Sequence, residues 1–172
     1  MDSMIPNNQA APLFSLPALD GTPYRLQDWR GKVVILDFWS AECPWSERCD
    51  QELLSYLPAW GEAVRLVTIA SNANEADDLL ARAAALRGLP LVLRDAQQKV
   101  ADLYQAQTTP HLFVVDGQGV LRYQGALDDV TFRKRTPTQP YLRQAVEAVL
   151  AGNAPDPAHT PPYGCTIVRF NA

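Results

Sequence analysis

Apolar and polar positions along this chain switch between two rhythms. Residues 32–39 are apolar almost without interruption, the pattern of a strand covered on both faces, and 43–60 then carries Leu53, Leu54, Leu57 and Trp60 at helical spacing. Residues 64–70 repeat the buried-strand pattern. An alanine- and leucine-rich amphipathic helix is predicted over 75–86, ending near Gly88-Leu89-Pro90. The alternation continues with a short strand at 91–93, a short helix at 97–104, strands at 111–116 and 120–124 joined by Asp116-Gly117-Gln118-Gly119, and a last helix at 141–150. Ahead of all these, two short apolar stretches within 12–24 flank Asp20-Gly21, a dipeptide that favours a hairpin turn. The pattern predicts an α/β domain with a central mixed sheet, flanking helices and an N-terminal hairpin.

The ends of the chain differ from this middle. Residues 1–10 read as an arm, 11–152 as the domain, and 153–172 as an extended Pro-rich tail in which 166–170 alternates weakly enough for an edge strand. At 172 residues one core suffices. The net charge of -4, with Lys and Arg scattered, gives no footprint for nucleic acid or an anionic membrane. No apolar run reaches the length of a membrane span, and residues 1–8 lack the basic start and apolar core of a signal peptide. The expectation is a cytoplasmic chain without a cofactor. Three cysteines are too few for a disulfide scaffold, so in a reducing compartment they point to a transient or catalytic bond.

The chemistry concentrates where the strand at 32–39 runs into Cys43, which should open a helix. Unpaired N–H groups and the positive end of the helix dipole there favour a thiolate. Asp37 is an acid inside an apolar strand, and burial should raise its pKa and let it exchange protons. Two other thiols could resolve an oxidised Cys43. Cys49 lies six residues along the same helix, about 9 Å of rise and about 120° away, beyond the ~7 Å reach of a disulfide unless the helix unwinds. Its other reading is a packed core cysteine. For Cys165, the stretch from Gly152 could span roughly 40 Å if extended, so reach is no obstacle. A Cys165 buried under an anchored tail, far from Cys43, is the competing reading.

Asp37-Phe38-Trp39, three residues, and a cysteine at a helix start resemble the active-site segment of thioredoxins. The order of elements over 12–150, with Thr108-Thr109-Pro110 leading into a hairpin and a last helix, resembles the redoxin version of the thioredoxin fold. That version includes the alkyl hydroperoxide reductase/thiol-specific antioxidant relatives. Glu42-Cys43-Pro44 together with Gly164-Cys165-Thr166-Ile167 is similar to a subgroup of bacterial thioredoxin-like proteins.

The resemblance implies a thiol-disulfide oxidoreductase or thiol peroxidase, with Cys43 as nucleophile and Asp37 as acid and base beneath it. A protein disulfide or peroxide would be the substrate and an external thiol the reductant. It also implies a cis bond at Thr109-Pro110, with the preceding backbone free to pair with an extended substrate. Pro44 and Trp45, with Trp39, would line the approach to the sulfur, although core packing explains Trp39 equally well. Two departures matter. Ser46 stands where thioredoxins carry a second cysteine; it could donate a hydrogen bond to the Cys43 thiolate or merely cap a backbone group. Ser40 fits the Pro-x-x-x-Thr/Ser-x-x-Cys signature of peroxiredoxins, but Leu36 replaces its proline. His111 reads as a packed strand residue. The alternative function is a non-catalytic binding protein of the same fold, holding copper or zinc through Cys43, Cys49 and His111.

Overall fold

In a computed structural model, which describes residues 4–169, the chain forms an α/β domain whose tail is laid back over it. A hairpin of β1 (Ser15–Pro17) and β2 (Pro23–Arg25) turns through Gly21, whose φ of 90° suits a residue without a Cβ. Then follow β3 (Val33–Trp39), α1 (Pro44–Trp60), β4 (Val64–Ala70), α2 (Asp77–Arg87), β5 (Val92–Arg94) and α3 (Lys99–Tyr104). The chain continues through β6 (Thr108–Thr109), β7 (His111–Val115), β8 (Leu121–Gly125), α4 (Tyr141–Leu150) and β9 (Cys165–Thr166).

The main sheet runs β5-β4-β3-β7-β8, with β3, β4 and β5 parallel and β7 and β8 antiparallel to their neighbours. Every residue of β3 is buried, because the strand is central and both its faces are covered. Alternation sorts its side chains. Val34, Leu36 and Phe38 join Tyr104 of α3 and Phe14 and Trp29 of the N-terminal region; Val33 and Ile35 join Cys49 and Leu53 of α1 and Leu142 and Val146 of α4. By the same alternation Asp37 and Trp39 belong to the α1 face. Cys43, at the C-terminal end of β3, is therefore delivered to the rim of the sheet by a strand that cannot shift without disturbing both cores.

Helix α2 starts at Asp77, two residues later than its pattern suggests, with Asp77 and Asp78 in the first turn. Glu75 stays outside it and serves the active-site loop. The outer edge of β8 is covered by residues from both ends of the chain, through bridges between Ala10 and Val120 and between Gln124 and His159. Residues 1–10 thus include a segment bound to the domain. Of the edge strand expected over 166–170 only Thr166 is in a strand, the two-residue β9, which pairs with β6; residues 167–169 carry no strand, and Phe170 lies outside the described residues. No helix among the described residues is long and apolar enough to cross a membrane.

Candidate active site

Cys43 is the N-cap of α1, with extended backbone (φ -89°, ψ 121°) and Pro44 at the first helical position. Its carbonyl already accepts the Glu47 N–H at 3.1 Å. The side chain therefore sits beside the unpaired amides that favour a thiolate. In this structure the sulfur is bonded to Cys165, across 122 positions of sequence and a Cα separation of 6.2 Å, inside the usual disulfide range. Of the two candidate partners for Cys43, the tail cysteine is the one that meets it. Pro44 is exposed and Trp45 half-buried at the same rim.

The Thr109-Pro110 bond is cis, and the Thr109 carbonyl oxygen lies 3.1 Å from Cys43 Sγ. The backbone before Pro110 is not free, however. Thr108 pairs with Thr166 and Thr109 with Cys165, so the edge expected to receive an extended substrate is taken by the chain's own tail.

That tail is anchored along its length. Thr160 donates its N–H to the Gln124 carbonyl at 3.1 Å, and its hydroxyl oxygen accepts the Ala126 N–H at 2.9 Å. Tyr163 meets Trp45 edge-on at 4.8 Å between centroids, and its hydroxyl accepts the Phe132 N–H at 2.6 Å. Beyond the disulfide, Ile167 is buried and its N–H reaches the Gln107 carbonyl at 3.1 Å. Val168 N–H donates to Asn72 Oδ1 at 2.8 Å, and Arg169 bonds Asp102 and the Ala106 carbonyl, each at 2.8 Å. Cys165 is thus held under an anchored tail, as one reading had it, but at Cys43 rather than away from it.

Residues 40–42, which lead into Cys43, are fixed by two charged side chains. The buried Glu75 carboxylate accepts Ser40 Oγ–H at 2.6 Å and the N–H groups of Ala41 at 3.1 Å and Glu42 at 3.2 Å. From the other side Arg87 donates to the Ala41 carbonyl at 2.6 Å and to Asp50 at 3.1 Å. Asp50 also accepts the Trp39 indole N–H at 2.7 Å. Two expectations are corrected here. Trp39 is wholly buried, with its N–H spent on Asp50 and the Arg87 guanidinium 5.4 Å over its ring, so it is core and not rim. Ser46 accepts the Ser40 N–H at 3.2 Å, the backbone-capping alternative, and no bond from it to Cys43 occurs among the described residues.

Asp37 is fully buried, and neither carboxyl oxygen has a hydrogen-bond partner among the described residues. Burial first, and then the neighbouring Asp50 charge, push its pKa well above the usual carboxylate range against the opposing pull of Arg87. Burial likewise lifts Asp50 to about 6, with Trp39 and Arg87 drawing it back. The two acids and one arginine form a cluster beneath the start of α1. Sequence reasoning found Asp37 and missed Asp50, Glu75 and Arg87, since nothing local identifies a helix acid or arginine as the partner of a loop far along the chain. Tyr163, an aromatic residue inside a Pro-rich stretch two positions before Cys165, was a signal that could have been used.

Cys49 lies in an unbroken stretch of α1, packed in the α1/α4 core. Burial, with Asp37 and Asp50 nearby, pushes its thiol well above the usual range. Beside it a cavity of about 10 Å³, lined also by Trp45, Pro110 and Tyr163, has room for about one water. Native-state alkylation is expected to leave Cys49 unmodified while labelling Cys43 in the reduced chain; rapid labelling of Cys49 in the folded protein would overturn this. His111 is buried, driven down to about 3 by burial and then by His159, and its Nδ1 accepts the Gln107 N–H at 3.1 Å. A disulfide sulfur, a core thiol and an occupied imidazole make no ligand set. No group of three His, Cys, Asp or Glu suited to a metal occurs among the described residues.

Residues 7–124 match the model of the AhpC/TSA family. The chain belongs to the AhpC/TSA family. The match spans the strands and helices that carry Asp37, Cys43 and Pro110, while the tail of this AhpC/TSA protein lies beyond it. Thiol-disulfide oxidoreductase ResA of Geobacillus thermodenitrificans is 31% identical over 116 residues, 65% of this chain and 64% of the relative's own length. The chain thus matches less than two thirds of that relative. The thioredoxin-like fold is shared with the thioredoxin domain of a thiol-disulfide oxidoreductase from Bacteroides vulgatus, at a TM-score of 0.63, 22% identity, and 70% and 88% of the two chains. A hypothetical protein from Sinorhizobium meliloti 1021 superposes with a TM-score of 0.86 at 27% identity, over 99% of this chain and 98% of that one. That likeness includes the tail.

Proposed function

We propose that this AhpC/TSA protein is a thiol-disulfide oxidoreductase working through a two-cysteine cycle. The observation that carries the reading is the Cys43–Cys165 bond formed at the N-cap of α1. The Cys43 thiolate attacks a substrate disulfide, forming a mixed disulfide and releasing one thiolate. Cys165 then attacks the Cys43 sulfur, forming the observed bond and releasing the second thiolate, and an external dithiol returns both cysteines to thiols. A reducing cytoplasm suits this cycle, since three cysteines that build no scaffold stay reduced between turnovers there.

One observation favours a disulfide over a hydroperoxide as substrate. Ser40, which answers to the hydroxyl residue of the peroxiredoxin signature, donates its proton to Glu75 and accepts the Glu42 N–H at 3.2 Å, so it is committed to the loop rather than to an oxidant. Cys165→Ser is expected to stop the cycle after the first attack. With a small disulfide substrate, mass spectrometry should then find one substrate half on Cys43, and steady turnover should fall at least about tenfold. Unchanged turnover in Cys165→Ser would remove the resolving role.

A further inference from the structure

The tail crosses the active-site loop at Gly164, and the crossing has no room for a side chain. A Cβ on Gly164 would fall on the Thr109 carbonyl oxygen, 2.6 Å from the Thr109 carbonyl carbon and 3.0 Å from Pro110 Cδ. These are backbone and ring atoms, not the free end of a flexible side chain. Thr109 itself is buried, paired to the tail through β6 and continuous with β7 in the main sheet, so the loop has little space to retreat. The same oxygen touches Cys43 Sγ at 3.1 Å. One carbonyl therefore contacts the nucleophilic sulfur and bars a side chain immediately before Cys165. Gly164 is not among the glycines at positive φ, so space rather than backbone conformation selects glycine here.

The tail is held on both sides of this crossing by contacts that do not involve the disulfide. Upstream, Thr160 is bonded to Gln124 and Ala126; downstream, Ile167 and Val168 are bonded to Gln107 and Asn72. Only residues 161–164 lie between Thr160 and Cys165, and Pro161 and Pro162 stiffen half of that span. A short, stiff tether keeps Cys165 near its target and leaves no slack for a side chain at 164 to rotate away while Cys165 stays in place.

We propose that Gly164 is a positioning residue for the resolving step: its missing side chain lets Cys165 reach the Cys43 sulfur of the mixed disulfide. This rests on the two-cysteine cycle above. In the step concerned, Cys165 thiolate forms the Cys165–Cys43 bond, the bond from Cys43 to the substrate sulfur breaks, and the electron pair leaves with the substrate thiolate. The preceding attack by Cys43 makes no use of residue 164.

The test uses the full reduced chain, mixed rapidly with one equivalent of 5,5′-dithiobis(2-nitrobenzoate). Wild type should release a first thionitrobenzoate as Cys43 attacks and a second as Cys165 resolves; Cys165→Ser should release only the first. Gly164→Ala and Gly164→Val should keep the first rate within about twofold and slow the second by about tenfold and about a hundredfold, the scale of a misplacement near 1 Å. Circular dichroism of each reduced variant reports separately that it is folded. A second release at wild-type rate in Gly164→Val overturns the assignment, and so does a parallel fall in both releases, which would make Gly164 merely structural. A wild-type chain whose second release is absent, or persists in Cys165→Ser, overturns the two-cysteine cycle itself.

Discussion

Cys43→Ser is expected to lower turnover of a small disulfide by at least about a thousandfold, the scale on which losing a nucleophile removes the chemical step. A hydroxyl at this position cannot supply an anion near neutral pH, however well the helix amides are placed. The substitution separates chemistry from folding unusually well. Position 43 is an N-cap, and serine is among the preferred N-cap residues, so the reduced variant should fold at least as well as reduced wild type, with a gain of up to about 1 kcal/mol. Oxidised wild type, by contrast, carries a cross-link over 122 positions, which in the chain-entropy account is worth about 5 kcal/mol relative to the same chain without it. The expected pattern is therefore lost turnover, an equal or slightly higher melting point under reducing conditions, and a lower melting point than wild type under oxidising ones. Measurable turnover in Cys43→Ser would sink the assignment of the nucleophile, and a reduced variant melting well below reduced wild type would show that the thiol has a structural task.

The wild-type tail should be docked even without the bond, because its anchors at Thr160, Ile167 and Val168 are hydrogen bonds and burial independent of sulfur. The thioredoxin-like edge at Thr108 and Thr109 is then met first by Cys165 and only afterwards by any substrate chain. An extended protein substrate has to displace β9 before it can pair there.

This competition marks the limit of what the sequence made legible. The elements were readable because their signals are local: the predicted strand at 64–70 and the predicted helix at 141–150 coincide with β4 and α4, since apolar period and flanking turns decide them. Cys43 was readable because a cysteine between a buried strand and a helix has few other uses. Asp37 stood out as an acid in an apolar run. What stayed hidden is what distant residues do for one another. Glu75 looks like the start of a helix and instead holds residues 40–42; Arg87 looks like a cation suited to a helix C-terminus and instead joins Asp50 to the Ala41 carbonyl. Trp39 was expected at the rim or in the core, and only its bond to Asp50 decides for the core. The pairing of β9 with β6 could not be read either, because strands of two residues carry too little periodicity to announce a partner.

Asp37→Asn is expected to raise stability at neutral pH and to slow the cycle. Folded Asp37 holds its proton well above the usual carboxylate range because burial, and then Asp50, penalise its charge. In the unfolded chain the same group ionises near its ordinary value of about 4. Between that pH and the folded pKa the native state binds more protons than the unfolded one, so wild type loses stability as pH rises through this window, by up to about 1.4 kcal/mol per pH unit. Asparagine keeps the shape and cannot ionise in either state. The variant and wild type should therefore be close in stability near pH 4, with the variant increasingly the more stable as pH rises toward the folded pKa of Asp37, as read by urea unfolding at a series of pH values. Activity should move the other way. A buried acid that exchanges protons beneath the start of α1 contributes on the scale of general acid–base catalysis, so turnover should fall by about a hundredfold and the pH profile should lose the inflection that Asp37 imposes. A stability gap that does not change with pH would show that Asp37 is not held protonated by its surroundings. An unchanged pH profile, with the gap present, would confine Asp37 to the fold and leave Asp50, lifted to about 6 in the same cluster, as the acid that serves the cysteines.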